Sequence, residues 1–205
     1  MYCILVTGIP ATGKSTMAEV MSERMNLPVI SKDTIKELLF DNVGFQSRAE
    51  KVNLGIASME IMYYVAGQLM KTGQPFILEN NFEYSSEYGI KNLMEKYQYS
   101  ALTITLTGDY NVIYRRFLER QRSHDSHRGH VVNDCYPEKE ENTLKALKAK
   151  TISYENFVRG IEQRGFDAFC IGGRQIKVDT TDFSKINMGE LFLQIAAWKE
   201  EILHD

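Results

Sequence analysis

Two patterns of apolar residues alternate along the chain. Short runs rich in β-branched, aromatic and aliphatic residues occur at 2–7, 28–31, 75–79, 101–107 and 175–179, each bounded by polar or glycine-containing stretches. They predict five strands. Between them, apolar positions recur at intervals of three and four, which predicts helices over 15–25, 33–40, 48–71, 85–97, 111–121, 138–163 and 184–201. The helix over 48–71 puts Val52, Met59, Tyr63, Ala66 and Met70 at helical spacing, the mark of a core-facing stripe. Strands that alternate with helices predict an α/β fold: a mostly parallel five-stranded sheet with helices on both faces. Residues 166–171, just before Gly172-Gly173, read as an additional strand that pairs with 175–179 as a hairpin. No internal repeat or low-complexity linker interrupts the pattern, so 1–205 reads as a single domain.

Composition narrows the picture. A chain of 205 residues that is 43% hydrophobic is long enough to bury one proper core. The net charge of −3 argues against non-specific binding to nucleic-acid backbones. Three widely spaced cysteines, Cys3, Cys135 and Cys170, offer neither a disulfide framework nor a CxxC unit, which suits a reducing, cytoplasmic setting. The apolar start lacks the basic flank of a secretion signal, and no stretch is long enough to span a bilayer.

The first strand runs directly into Gly8-Ile-Pro-Ala-Thr-Gly13-Lys14-Ser15, a complete GxxxxGK[ST] loop. Such a loop turns its backbone N–H groups inward on polyphosphate, and glycine at both ends permits the close approach and unusual dihedrals this requires. Gly8, Ala11, Thr12, Gly13, Lys14, Ser15 and Thr16 are therefore candidate nucleotide-binding residues. Lys14 reaches the terminal phosphates, Ser15 is a Mg²⁺ ligand, and the helix that follows points its positive end at the nucleotide.

A second feature is the long, polar, non-periodic stretch of about 122–137, the kind of segment that acts as a mobile lid in compact enzymes. The helix leading into it carries Arg115, Arg116, Arg120 and Arg122, and Arg128 lies within it. Arg116 and Arg120 are four residues apart and share a helix face, so both can meet one polyphosphate; the alternative is an ordinary solvated basic face. His124, His127, His130 and Cys135 have a spacing that zinc could use, but zinc sites in lids resemble paired CxxC units, absent here. Solvated histidines, or histidines on phosphate, are the simpler reading.

With these motifs the chain resembles a P-loop kinase of the nucleoside-monophosphate-kinase-like group, among the small AAA-like and zeta-toxin-like kinases. It is also similar to chloramphenicol phosphotransferase and the kinase domain of polynucleotide kinase. The matching segments are the Gly8 to Ser15 loop, Ser31-Lys32-Asp33, Phe76-Ile-Leu-Glu79, Arg116-Phe-Leu-Glu-Arg120 and Val178-Asp179-Thr180. The resemblance implies ATP and Mg²⁺ as cofactors. It makes Asp33 the carboxylate that accepts the acceptor hydroxyl's proton, although Asp33 also suits the cap of the helix over 33–40. Glu79 stands where the family more often has Asp; it holds Mg²⁺ through water or, with Asn80 and Asn81, meets the acceptor. Arg116 matches an arginine that stacks on adenine and Arg120 one that touches phosphate; Arg128 is a further catalytic candidate. Asp179 and Thr180 resemble a turn beside the nucleotide base.

The leading expectation is thus an ATP-dependent kinase acting on a hydroxyl or phosphate of a small or nucleotide-like acceptor. Arg48, Lys51 and Tyr63, in the region where related kinases bind acceptors, suit an anionic or aromatic substrate. Negative charge disfavours a polynucleotide 5′ end. The alternative is a P-loop ATPase or nucleotide-dependent switch without an acceptor, and the absence of an NKxD motif argues against a GTPase. A catalytically silent regulator is the third class, opposed by the co-occurrence of Lys14, Ser15, Asp33, Glu79 and the arginines.

Overall fold

The computed structural model describes residues 1–123, 126–138 and 152–204. Its centre is a five-stranded parallel sheet of β1 (Tyr2–Gly8), β2 (Val29–Ser31), β3 (Phe76–Glu79), β4 (Ser100–Thr107) and β5 (Arg174–Asp179), in the order β2-β3-β1-β4-β5. The helices are α1 (Lys14–Met25), α2 (Lys32–Asn42), α3 (Arg48–Lys71), α4 (Glu87–Tyr97), α5 (Tyr110–Arg122), α6 (Arg128–Val131), α7 (Tyr154–Arg164) and α8 (Met188–His204). All five strands lie where the apolar runs predict them.

Why β1 reads as unbroken apolar sequence is explained by its position. Side chains alternate across a strand, and both faces of this strand are covered. Ile4 and Val6 pack with Met17, Met21, Leu191, Ile195 and Trp198 under α1 and α8. Cys3 and Leu5 face the other way, into Met62, Ala66, Met70 and Ile90 under α3 and α4. Because β3 is inserted between β1 and β2, the chain leaves β1 in one direction and the next crossover in the other. That switch point opens a crevice at the carboxyl ends of β1 and β3, where doubly wound sheets bind ligands.

Three sequence expectations are corrected. Residues 166–171 form no strand: Gly165, at φ 73°, caps α7, and the Phe169 N–H returns to the Gly165 carbonyl at 2.8 Å, curling the segment into a turn. The i,i+3 pair Phe166 and Phe169 is buried by that turn, and among the described residues β5 pairs only with β4, in parallel. The helix predicted over 138–163 is not continuous, because Ile152 and Ser153 are non-helical and the Ser153 side chain caps a new helix, α7, through the Asn156 N–H; residues 139–151 lie outside the described residues. The stripe on α3 is split: Ala66 and Met70 are core, whereas Val52 is 46% exposed and lines a cavity with Met59 and Tyr63. Helical spacing identifies a face, but only packing decides what covers it.

The segment after α5 is docked rather than loose over its described part. Phe40 of α2 meets Phe45 and Val132 in a small cluster of its own. Phe45 and Tyr136 exchange backbone hydrogen bonds at 2.9 and 2.8 Å. Lys51, only 4% exposed, sends its ammonium to the carbonyls of His130 and Val132 at 2.8 and 2.5 Å. Gly129 lies so close to Phe40 that a Cβ there would stand 2.3 Å from Cδ2 of the ring. Replacing Gly129 with Ala therefore pushes α6 off α2. We expect faster proteolysis within 123–138, with the denaturation midpoint of Trp198 fluorescence, which reports the opposite core layer, little changed. Equal proteolysis rates in wild type and variant would show that this packing does not hold the segment.

Candidate active site

The loop between β1 and α1 is held in a strained, predetermined shape. Gly8 adopts φ 131°, and a Cβ there would lie 2.0 Å from the Leu106 carbonyl oxygen of β4. Gly13 takes φ 83° as the residue before α1, and Ala11 accepts φ 68° despite its Cβ. The Thr12 hydroxyl donates to the Ile9 carbonyl at 2.7 Å, and Lys14 Nζ donates to the same oxygen at 2.9 Å. Burial pushes the Lys14 ammonium down to about 8, against the opposing pull of Glu79 and Asp33. Ser15 and Thr16, by contrast, are exposed on the first turn of α1.

Glu79 ends β3 next to Val6 in register, 3% exposed, with Oε2 accepting the Ser31 hydroxyl at 2.6 Å. Burial raises its pKa, while the Ser31 hydrogen bond and Lys14 oppose that rise. Ser31 is also the N-cap of α2: its Oγ accepts the Thr34 N–H at 3.4 Å. That observation resolves the two readings of Asp33 as far as the cap is concerned. With Ser31 in the capping position, Asp33 falls in the first turn of α2 and its carboxylate lines the cavity. Burial would raise the Asp33 pKa, but the positive charges of Lys32, Lys36 and Lys14, with His130 whenever its ring is protonated, outweigh it and hold the carboxyl below the ordinary aspartate range.

The arginines separate. Arg116 donates to the carbonyls of Thr180 and Thr181, at 2.5 and 2.8 Å, and its guanidinium lies 4.0 Å from the centre of the Phe183 ring. Phe183 in turn sits against Gly13, 3.1 Å from where a Cβ would be. Arg116, Thr180 and Phe183 thus form one wall beside the phosphate loop. Arg120 is exposed, with its charge within electrostatic reach of both Lys14 and Glu79. Arg128 is turned into a bidentate pair with Glu138, at 2.8 and 2.7 Å, which occupies its guanidinium within the lid itself.

His127 and His130 lie edge to face, ring centres 6.0 Å apart, and each meets a carboxylate. His127 Nε2 lies 3.0 Å from Asp41, and His130 Nε2 lies 2.9 Å from Glu37. Burial lowers the His130 pKa and favours the neutral ring. His124 lies outside the described residues, and among those described no three His, Cys, Asp or Glu side chains cluster as metal ligands would.

A cavity of about 580 Å³ opens between α2, α3, α6 and the segment after β3. Asp33, Lys36, Arg48, Tyr63, Asn81 and His130 are on its wall. Arg48, Lys51 and Tyr63 lie there too, as their sequence region suggests, whereas three residues take places that the sequence does not indicate. Lys36 is recognisable only as one lysine on an amphipathic helix. His130 joins the cavity through the docking of α6, and Phe183 reaches the phosphate loop from a part of the chain with no motif of its own.

A phosphate loop at the switch point of a parallel sheet, with a carboxylate at the end of the neighbouring strand, defines a P-loop protein with the fold of the small kinases. The chain belongs to the AAA domain family, whose profile matches residues 4–145. No curated protein matches it. A crystal structure described as a "putative kinase" from Chloroflexus aurantiacus is similar over 98% of this chain and 96% of its own, at TM-score 0.73 and 24% identity. A sugar kinase from Janibacter sp. superimposes at TM-score 0.54 with 11% identity, covering 98% and 95% of the two chains. Shikimate kinase from Bacteroides thetaiotaomicron does so at 0.50 with 15% identity, covering 98% of both. These similarities establish the fold. Among the described residues no helix is long and apolar enough to cross a membrane.

Ser31 ties α2 to β3 through its one hydroxyl. Ser31→Ala loses both the cap and the Glu79 hydrogen bond, and should destabilise the protein by about 1–2 kcal/mol in urea denaturation. Unchanged stability would mean that neither bond persists in solution.

Proposed function

We propose that this protein is an ATP-dependent kinase that transfers the γ-phosphoryl group to a hydroxyl of a small polar acceptor bound in the cavity beside Asp33. One observation carries this reading. Asp33, with helix capping taken over by Ser31, lines the cavity while lying within electrostatic reach of Lys14 of the phosphate loop. A carboxylate held ionised between a polyphosphate site and a cavity is suited to general-base catalysis at neutral pH. Asn81 lines the same cavity, and its Oδ1 is buried without a donor among the described residues.

In this mechanism the acceptor oxygen attacks the γ-phosphorus as its proton passes to Asp33, and the bond to the β–γ bridging oxygen breaks to leave ADP. The loop N–H groups and Lys14 carry the phosphate charge, and Arg120, exposed and facing Lys14 and Glu79, adds a positive charge as the transferred group moves. Arg116, stacked on Phe183 beside Gly13, forms the wall for the nucleotide base. The Ser15 hydroxyl and the Glu79 carboxylate are hard oxygen donors that suit Mg²⁺, held directly or through water; when bound, the ion neutralises the β- and γ-phosphates. Arg128, paired with Glu138, holds the lid together in this reading and needs no direct part in the reaction.

Asp33→Asn should lower kcat by about a hundred- to ten-thousandfold while leaving the Kd for ATP nearly unchanged, as read by acceptor-stimulated ADP release and nucleotide titration. Equal losses in rate and ATP affinity, or acceptor-independent ADP release untouched by the substitution, would favour an ATPase without an acceptor. Because the Asp33 pKa is depressed, the base is ionised throughout the neutral range. The acid limb of its contribution to kcat should therefore appear only below the usual aspartate range, with activity lost as pH falls. Arg116→Ala should raise the KM for ATP by about tenfold with a smaller effect on kcat. A fall in kcat alone would instead assign Arg116 to the reacting phosphate.

A further inference from the structure

The cavity wall near Asp33 has a charge distribution that a neutral acceptor does not require. Lys32, Lys36 and Arg48 converge there from α2 and α3. Lys32 has a carboxylate, Asp33, at 3.6 Å. Lys36 has none within ion-pair distance among the described residues; its ammonium lies 5.3 Å from the centre of the Phe40 ring. Arg48 donates to a neutral group, the Asn133 side-chain oxygen, at 2.7 Å. Lys51 belongs to a different class, because carbonyls of the docked segment already hold its ammonium. It is a tie between α3 and α6 rather than a free ligand.

The Lys36 side chain lies over α3 at Gly55, where a Cβ would meet its Cε and Nζ at an ordinary contact distance of 3.6 Å. Burial, Lys32 and Arg48 together push the Lys36 ammonium down to about 8, with Asp33 opposing. Cations held together at such a cost, facing a cavity and lacking carboxylate partners, are stabilised when an anion enters between them. The far end of the cavity differs. Arg164 there has Glu83 at 3.8 Å, Glu60 adds negative charge, and Tyr63 supplies a broad ring. Arg48 and Tyr63 are fifteen residues apart on one helix, about 22 Å along its axis, so the two ends are separate subsites.

We propose that the phosphoryl acceptor carries an anionic group, a phosphate ester or a carboxylate, held by Lys36 and Arg48, with its reactive hydroxyl turned to Asp33. This inference rests on the kinase reading for the word acceptor, but the anion subsite stands on its own geometry. The shared chemistry is a compact oxyanion; its source, phosphate or carboxylate, is for experiment to separate.

The test uses the whole protein saturated with Mg·ADP, so that the phosphate loop is occupied. It is titrated separately with inorganic phosphate and with acetate while backbone amide resonances are followed. We expect saturable shifts at Lys36, Arg48 and Gly55 that weaken at least about tenfold in the Lys36→Met/Arg48→Met variant, with the remaining spectrum retained as proof of folding. Tighter binding of phosphate points to a phosphate ester, tighter binding of acetate to a carboxylic acid. No saturable shift with either anion, or shifts undiminished in the variant, would overturn the subsite. Failure of the kinase reading looks different: anion binding persists, yet no phosphate- or carboxylate-bearing polyol in a panel stimulates ADP release. If uncharged polyols are phosphorylated as efficiently as their charged counterparts, and the variant turns them over like wild type, the kinase stands and the anionic acceptor falls.

Discussion

The structure depends on the burial of β1 on both faces. A strand packed against α1 and α8 on one side and α3 and α4 on the other has no freedom to slide or tilt. It therefore delivers Gly8 against the Leu106 carbonyl at one defined height, where no other side chain fits. The phosphate loop inherits its shape from that contact, from the Thr12 and Lys14 bonds to Ile9 and from the positive φ values that follow. Preorganisation of this kind removes the cost of ordering the loop when polyphosphate binds.

The same strand order brings the two carboxylates of the site together. Val6, Glu79 and Ser31 stand side by side in register at the carboxyl ends of β1, β3 and β2. Ser31 then performs two tasks with one hydroxyl, donating to Glu79 and capping α2. The consequence for chemistry is that Asp33 is left to face the cavity. A short strand, a cap and a first helical turn thus place the Glu79 and Asp33 carboxylates on adjoining elements, with Lys14 in electrostatic reach of both.

The cavity is assembled from contacts distant in sequence. Lys51 and the Phe40 cluster clamp α6 onto α2 and α3, carrying His130 to the cavity wall and engaging it with Glu37. A segment whose polar, non-periodic sequence suggested a mobile lid is, in its described part, packed onto α2 and α3 with His130 on the cavity wall. Beside the phosphate loop the wall is formed instead by Arg116, Thr180 and Phe183.

Much of this was legible in the chain. Strands buried on both faces leave continuous apolar runs, and a phosphate loop needs glycine, lysine and serine at rigid spacing, so the sheet and the phosphate loop could be read directly. These are local demands, met by residues near one another in sequence. The cap of α2, the fate of residues 166–171 and the split face of α3 could not be read in that way. Ser31 and Asp33 are both good capping residues, Phe166 to Ile171 fits a strand or a turn, and helical spacing is blind to whether a cavity or a core lies opposite. The convergence of Lys36, Arg48 and Asp33 was settled only when α2 packed on α3, because charges interact through space and their distances along the chain carry no information about that space.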